Sequence, residues 1–296
     1  MKSPLDWNTD GREWPHRETS QFVTAGGLKW HVQRMGEGPP LLLLHGTGAS
    51  THSWRTILPL LARDFTVIAP DLPGHAFTAG GNWQGRSLDG MGRALQALLE
   101  EMGVQPAAIV GHSAGVAIAL HLGGQRDRLI PVIGYNPALM PFEGFGEQLF
   151  PAMAKMLLLN PLAPRLFAGI ARIPGEAERF LKRATNSQIE AQGLACYAKL
   201  VGNSRHCQGA LTMMASWDLT AFSERLPGFV QPVHLVHGGA DNAVPLSSAQ
   251  KAARLLPNCT LEVLDGLGHL AHEERPQDAA LRIAAFVRDH ALDHAQ

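Results

Sequence analysis

Three short, almost wholly apolar runs each end in a glycine-rich polar motif, and this pairing restricts the possible folds more than any other feature. The run at 41–44 ends at His45-Gly46-Thr47-Gly48. The run at 65–69 ends at Pro70-Asp71-Leu72-Pro73-Gly74-His75, and that at 107–110 at Gly111-His112-Ser113-Ala114-Gly115. A strand apolar on both faces belongs in a parallel sheet covered by helices. Between the runs, Leu88, Met91, Leu95, Leu98, Leu99 and Met102 recur at spacings of three and four, which makes one apolar helix face. Strands alternating with helices predict an α/β sheet.

Ahead of this pattern, Leu28, Trp30 and Val32 alternate with Lys29, His31 and Gln33 after the Gly26-Gly27 pair. That reads as a β-hairpin with one face in and one face out. Strand patterns return at 233–236, ending at His237-Gly238-Gly239-Ala240-Asp241, and at 260–264, ending at Asp265-Gly266-Leu267-Gly268-His269. A last helix is expected from Pro276. Between 138 and 226 prolines and methionines accumulate and no strand pattern is present. The expected organisation is a tail at 1–18, draped over the body or partly disordered, an α/β core at 19–138 and 226–296, and a helical cap at 139–225.

The composition narrows the function classes. Of 296 residues, 45% are apolar and 17% charged, with a formal net charge of −1 and no basic block. A nucleic-acid binder normally carries a basic stripe, so that class is set aside. No stretch approaches the roughly 20 apolar residues of a membrane-spanning helix, which leaves peripheral membrane contact open. The first sixteen residues hold no apolar run of the kind a secretory signal needs. Cys196, Cys207 and Cys259 give neither a disulfide framework nor a zinc spacing. A cytoplasmic protein is expected.

Open α/β sheets bind ligands at the carboxyl ends of their strands, where each of these polar motifs falls. Gly111-x-Ser113-x-Gly115 between a strand and a helix is the pattern of a nucleophile elbow. A serine hydroxyl needs a base to take its proton. In chain order, Ser113 is followed by Asp241 and His269, the order of nucleophile, orienting acid and base. The plain alternatives are a turn aspartate and a loop histidine, each at a strand end. The developing oxyanion needs backbone N–H donors. Ala114, next to the nucleophile, and Thr47, in the loop after the first run, are the candidates, against a plain glycine-rich turn. Trp54 and His112 are candidate pocket residues, with a core tryptophan as the equal alternative for Trp54. The segment at 71–75 is read as fixing loop shape. His269, His272 and Glu273 lack the H-E-x-x-H spacing and a third ligand, so neither a metal nor a cofactor is expected. Most of the other histidines are read as surface or satisfied residues.

HGTG, DLPGH, GHSAG, GGADNAVP and GLGHLAHEERP together resemble the α/β-hydrolase superfamily from about Ser20 onward. The resemblance implies a mostly parallel eight-stranded sheet with a helical cap, and the same three residues, Ser113, Asp241 and His269, as its catalytic triad. A serine in the elbow departs from the haloalkane-dehalogenase and epoxide-hydrolase branches, which use aspartate there. The segments DGREWPHRE, LKWHVQRMGEGPPLLLLHGTGASTHSWR, LDGMGRAL and MMASWDL resemble, more narrowly, the magnesium-chelatase accessory proteins of bacteriochlorophyll biosynthesis. Ala76 departs from the glycine that often follows DLPGH. Two roles follow. One is a serine hydrolase acting on an ester or similar acyl bond of a hydrophobic small molecule, in the tetrapyrrole pathway. The other is a non-catalytic accessory that binds a porphyrin or magnesium chelatase. Met-rich residues around Met156 are expected to form an adaptable apolar lid, or simply to pack the cap onto the core.

Overall fold

The computed structural model describes residues 5–81, 86–124, 129–141 and 162–291. Nine strands form one sheet: β1 (Ser20–Ala25), β2 (Leu28–Met35), β3 (Pro40–Leu44), β4 (Thr66–Pro70), β5 (Ala79–Gly80), β6 (Ala108–His112), β7 (Val132–Tyr135), β8 (Val233–Gly238) and β9 (Cys259–Leu264). Eight of them follow the order β1-β2-β4-β3-β6-β7-β8-β9, and the two-residue β5 pairs with β2 off that path. Pairings along β4-β3-β6-β7-β8-β9 are all parallel, whereas β2 runs antiparallel to β1, β4 and β5. The ninth strand is too short to carry an alternating signal, so the sequence suggests only eight.

Eleven helices lie among the described residues: α1 (Leu58–Leu61), α2 (Leu88–Glu101), α3 (Ala114–Gly123), α4 (Ala163–Ile170), α5 (Glu176–Thr185), α6 (Ala191–Val201), α7 (Ser204–Ser216), α8 (Leu219–Ser223), α9 (Leu246–Leu255), α10 (Ala271–Glu274) and α11 (Pro276–Ala291). The five from α4 to α8 stand between β7 and β8. Ser87 caps α2 by accepting from the Gly90 N–H across 3.1 Å, which satisfies one of the unpaired donors of the first turn. Met91, Leu95, Leu98 and Leu99 form the buried face of that helix.

The apolar runs bury both faces of the sheet. Leu42, Leu44 and Ile109 join one core with α2 and α3, while Leu41, Leu43 and Val110 join a second with α1 and α11. Truncating one such leucine to alanine typically costs about 2–5 kcal/mol.

The hairpin departs from the expected alternation. His31 and Gln33 are fully buried along with Trp30 and Val32. The N-terminal segment supplies the cover: Gln33 Nε2 donates to Pro15 O across 2.6 Å. His31 Nδ1 donates to Asp71 Oδ2 across 2.7 Å. The tail drapes rather than dangles, since Leu5 and Trp14 are buried against Phe77, Cys196 and Leu200. Trp14 Nε1 also donates to Thr51 Oγ1 across 3.1 Å.

Candidate active site

The register of β6 beside β3 and β7 brings the strand ends together. Leu44 pairs with Gly111, and His112 pairs with Tyr135. The next residue, Ser113, turns sharply at φ 52 and ψ −118, a backbone conformation costly for any residue with a Cβ. It is held there by three hydrogen bonds. Its N–H donates to Tyr135 O at 2.9 Å, and its carbonyl accepts from Val116 N at 3.1 Å and Ala138 N at 3.3 Å. The flanking glycines are required by contact. A Cβ on Gly111 would lie 2.6 Å from Val116 N, and one on Gly115 would lie 2.3 Å from Leu44 O. Although Ser113 is the N-cap of α3, its hydroxyl makes no capping bond, so it is not spent on its own helix.

The loop after β3 passes over this turn. A Cβ on Gly46 would meet Ser113 Cβ at 3.0 Å and His112 Nδ1 at 2.8 Å, so only glycine permits the approach. His45 fixes the loop from beneath. Its Nε2 accepts from Leu72 N at 2.9 Å and its Nδ1 donates to Gly46 O at 2.8 Å. Burial outweighs the nearby Asp71 and lowers its pKa, which suits the neutral tautomer. Ala114 is the first residue of α3, so its N–H has no partner within the helix. Thr47 is half-buried in this loop, and its hydroxyl reaches Met213 Sδ of α7 at 3.5 Å.

Asp241 and His269 follow β8 and β9. His269 Nδ1 donates to Asp241 Oδ2 across 2.7 Å. The same carboxylate accepts from Asn136 Nδ2 at 2.9 Å, Ala243 N at 2.6 Å and Val244 N at 3.0 Å. Burial alone would raise its pKa. The His269 bond and charge, the Val244 N–H and the Asn136 amide reverse that and hold it below the ordinary value. Among the described residues no hydrogen bond joins Ser113 Oγ to His269 Nε2; such contacts often tighten only when substrate binds.

The inserted helices hold the histidine loop. His269 N donates to Thr185 O at the end of α5 across 2.8 Å. Glu274 accepts from Gly268 N at 2.8 Å and from Gln188 N at 3.0 Å. Arg55 reaches Glu190, the residue just before α6, at 2.9 Å and pairs in the buried interior with Glu273. Glu273 also accepts from Tyr197 of α6 at 2.7 Å.

Asn136, Glu274, Arg55 and Tyr197 are not singled out by the sequence, and Glu273 only as a candidate metal ligand. Asn136 carried one usable signal: it is the polar residue directly after an apolar strand, like the other motif residues. Ten of the fourteen histidines are buried rather than at the surface, and the His112 ring packs against those of His269 and His272 with centroids 4.8 and 4.4 Å away. His112 is placed at the site, where its Nε2 donates to His269 O at 2.9 Å; burial, then His269, lowers its pKa to about 3. Trp54 is fully buried in the core against Leu41 and Leu43 and 4.7 Å from the His272 ring. A side chain without exposed surface walls no pocket, so it belongs to the core alternative. Asp71 fixes its loop, accepting from Thr51 N at 2.8 Å and Phe77 N at 3.1 Å. Met156 lies outside the described residues. No group of three or more metal-ligating side chains occurs among the described residues. A separate cavity of about 520 Å³ opens between the β1–β2 turn and α2, lined by Gly27, Arg86 and Arg93; no residue of the Ser113 site lines it.

The sequence matches the family model described as the alpha/beta hydrolase fold over residues 39–276. The chain belongs to the α/β-hydrolase fold family. It is 41% identical to the magnesium-chelatase 30 kDa subunit of Rhodobacter capsulatus over 88% of this chain and 91% of that one. It is 27% identical to the pimeloyl-acyl-carrier-protein methyl ester esterase of Aromatoleum aromaticum over 84% and 98% of the two chains. Among solved α/β-hydrolase structures, a serine hydrolase of carbazole degradation superposes with a TM-score of 0.74 at 22% identity, covering 92% of this chain and 99% of that one. The bromoperoxidase of Bacillus anthracis superposes with a TM-score of 0.75 at 20% identity, covering 91% and 100%. At that identity the likeness concerns the fold.

Proposed function

We propose that this protein is a serine hydrolase that cleaves an ester or similar acyl bond of a hydrophobic small molecule, a tetrapyrrole ester being the leading candidate. The observation that carries the reading is the Asp241–His269 hydrogen bond at 2.7 Å, at the carboxyl ends of parallel strands in the same sheet as β6, which ends in a serine held in a strained elbow. In the proposed reaction Ser113 Oγ attacks the acyl carbon while its proton passes to His269 Nε2. Asp241 keeps the Nδ1 proton of His269 in place and stabilises the imidazolium. The oxyanion is received by the Thr47 and Ala114 N–H groups. The alcohol departs with the proton from His269, and water, activated by the same base, releases the acid and restores Ser113. The ester class is supported by the relative named as a methyl ester esterase, and the tetrapyrrole setting by the relative named as a magnesium-chelatase subunit. Residues 139–225 act in this proposal as a cap over the site.

The test is labelling with a fluorophosphonate probe, read by intact mass, with Ser113→Ala as control. One adduct that vanishes in the control supports the hydrolase. A folded protein that takes no label supports a second reading, a porphyrin-binding or chelatase-binding accessory. That reading is favoured by the name of the 41% identical relative, a magnesium-chelatase subunit.

A further inference from the structure

Helix α4 is turned inside out. Its small residues Pro164 and Ala168 are buried, while Leu162, Leu166, Phe167, Ile170 and Ile173 along and beside it are exposed, Leu166 by 67%. Leu162, Leu166 and Ile170 recur at spacings of four, so they share one face of the helix, and the exposed Ile173 follows three residues beyond its end. Helix α5 adds Phe180, which packs edge-on against Phe167 with ring centroids 5.1 Å apart. Six of the thirteen large exposed apolar residues of the described structure thus fall in one short stretch. Exposed apolar residues scattered singly need no explanation, but a contiguous patch marks an interaction surface.

The charge around the patch identifies the partner. Between 162 and 186 there are five cations, Arg165, Arg172, Arg179, Lys182 and Arg183, against two carboxylates, Glu176 and Glu178, in a chain whose net charge is −1. All five cations are exposed. At the helical period Arg165 falls on the flank of the apolar face of α4 rather than within it, and the exposed Arg172 follows the helix end. An apolar face of Leu, Ile and Phe flanked by Arg and Lys matches a helix lying in a lipid interface, where apolar side chains enter the acyl boundary and cations meet anionic headgroups. No helix of the described residues is long and apolar enough to cross a membrane, so contact would be with one leaflet only.

We infer that α4 and the start of α5 form a docking face for an anionic lipid bilayer. The inference does not depend on the hydrolytic reading, because it concerns binding to a surface and not turnover at Ser113. If both hold, the surface brings the protein to substrates dissolved in the membrane.

The full-length protein should be sedimented with vesicles of phosphatidylcholine mixed with phosphatidylglycerol, and with vesicles of phosphatidylcholine alone. Partition is expected to favour the anionic vesicles, and to weaken as salt rises. The double variant Leu166→Asp/Ile170→Asp should bind at least about tenfold more weakly, since it places charge in the acyl boundary. Lys182→Glu/Arg183→Glu should weaken binding to anionic vesicles only. Circular dichroism melts confirm that each variant is folded. The proposal is overturned if the folded wild type does not sediment with anionic vesicles, or if both double variants bind like wild type. It is also overturned if, without vesicle binding, Leu166→Asp/Ile170→Asp dissolves a self-associated form, which makes a second copy the occupant. Hydrogen-exchange protection of 162–173 in lipid-free monomer overturns it as well, since the chain would then cover its own face.

Discussion

Asn136 and Asp241, at the ends of neighbouring strands, meet at one oxygen: Asn136 Nδ2 lies 2.9 Å from Asp241 Oδ2, the atom that also receives His269 Nδ1. Asn136 is fully buried, adopts φ 46, and also donates to Gly268 O at 3.2 Å. It therefore ties the acid to the loop that carries the base. Asp241→Asn should slow fluorophosphonate labelling of Ser113 by about 10³–10⁴-fold, because the wrong imidazole tautomer is favoured. Asn136→Gly keeps the positive φ and removes only the amide. It should slow labelling by roughly tenfold, through looser placement of the base. Labelling of folded Asn136→Gly at the wild-type rate would show that the amide does not hold the acid.

Gly46 tests the oxyanion loop independently of the triad. An alanine there would press on Ser113 Cβ and His112 Nδ1 and push the Thr47 N–H outward. Loss of one oxyanion donor typically costs about 10²–10³ in rate. Gly46→Ala should show that loss in labelling rate, while overpacking lowers stability by about 1–3 kcal/mol. Comparing labelling kinetics with urea unfolding separates the two effects. A variant that labels normally removes Thr47 from the oxyanion site.

The strand ends and their motifs were legible in the sequence because apolar runs and glycine constraints are local. Gly111, Ser113 and Gly115 act through contacts within a few residues or with the adjacent strands β3 and β7. What stayed hidden depends on long-range packing. His31 and Gln33 alternate like solvent-facing residues, yet a tail about twenty residues earlier covers them. The buried histidines carry no periodic signal, because what holds them differs from ring to ring: His206 bonds Gly48 O, His31 bonds Asp71, and His272 is held by packing against Trp54 and His112. Arg55, Glu273 and Tyr197 meet across 218 and 76 positions of sequence, a distance no motif spans.

That last group fastens α6 to the core. The Arg55 guanidinium reaches Glu190 and Glu273 and lies where a Cβ on Gly193 would sit. Removing one partner of a buried ion pair leaves the other uncompensated, at about 3–5 kcal/mol. Arg55→Met should therefore lower unfolding free energy by about that amount in urea titrations. The double variant Arg55→Met/Glu273→Met should recover much of it, because it leaves no orphaned charge. A double variant as unstable as the sum of the single ones would contradict this account.

Acid should destabilise the fold in two stages. Burial, the largest cause for each, lowers the pKa of His112 to about 3 and of His206 to about 4, and lowers His52, His75 and His272 well below 6.5. Below pH 6.5 the unfolded chain binds protons on these rings that the folded one does not, so stability falls as pH falls. Each such histidine contributes a slope of up to roughly 1.4 kcal/mol per pH unit between 6.5 and its folded pKa. Asp71 adds the second stage. Burial raises its pKa, but His31 and then the Thr51 N–H outweigh that and hold it below 3.8. Its contribution is present above 3.8 and is lost as pH falls through its depressed value. Glu273, raised by burial against Arg55, has the opposite sign, since its ionisation costs stability as pH rises above 4.5. The several histidines outweigh that single carboxyl. Melting temperature followed by circular dichroism should be flat above pH 7 and drop steeply from pH 6.5 toward 4. His206→Gln, which removes a ring bonded to Gly48 O and Ala76 N, should flatten that drop. An unchanged slope in His206→Gln would mean that the ring already takes up its proton in the folded state.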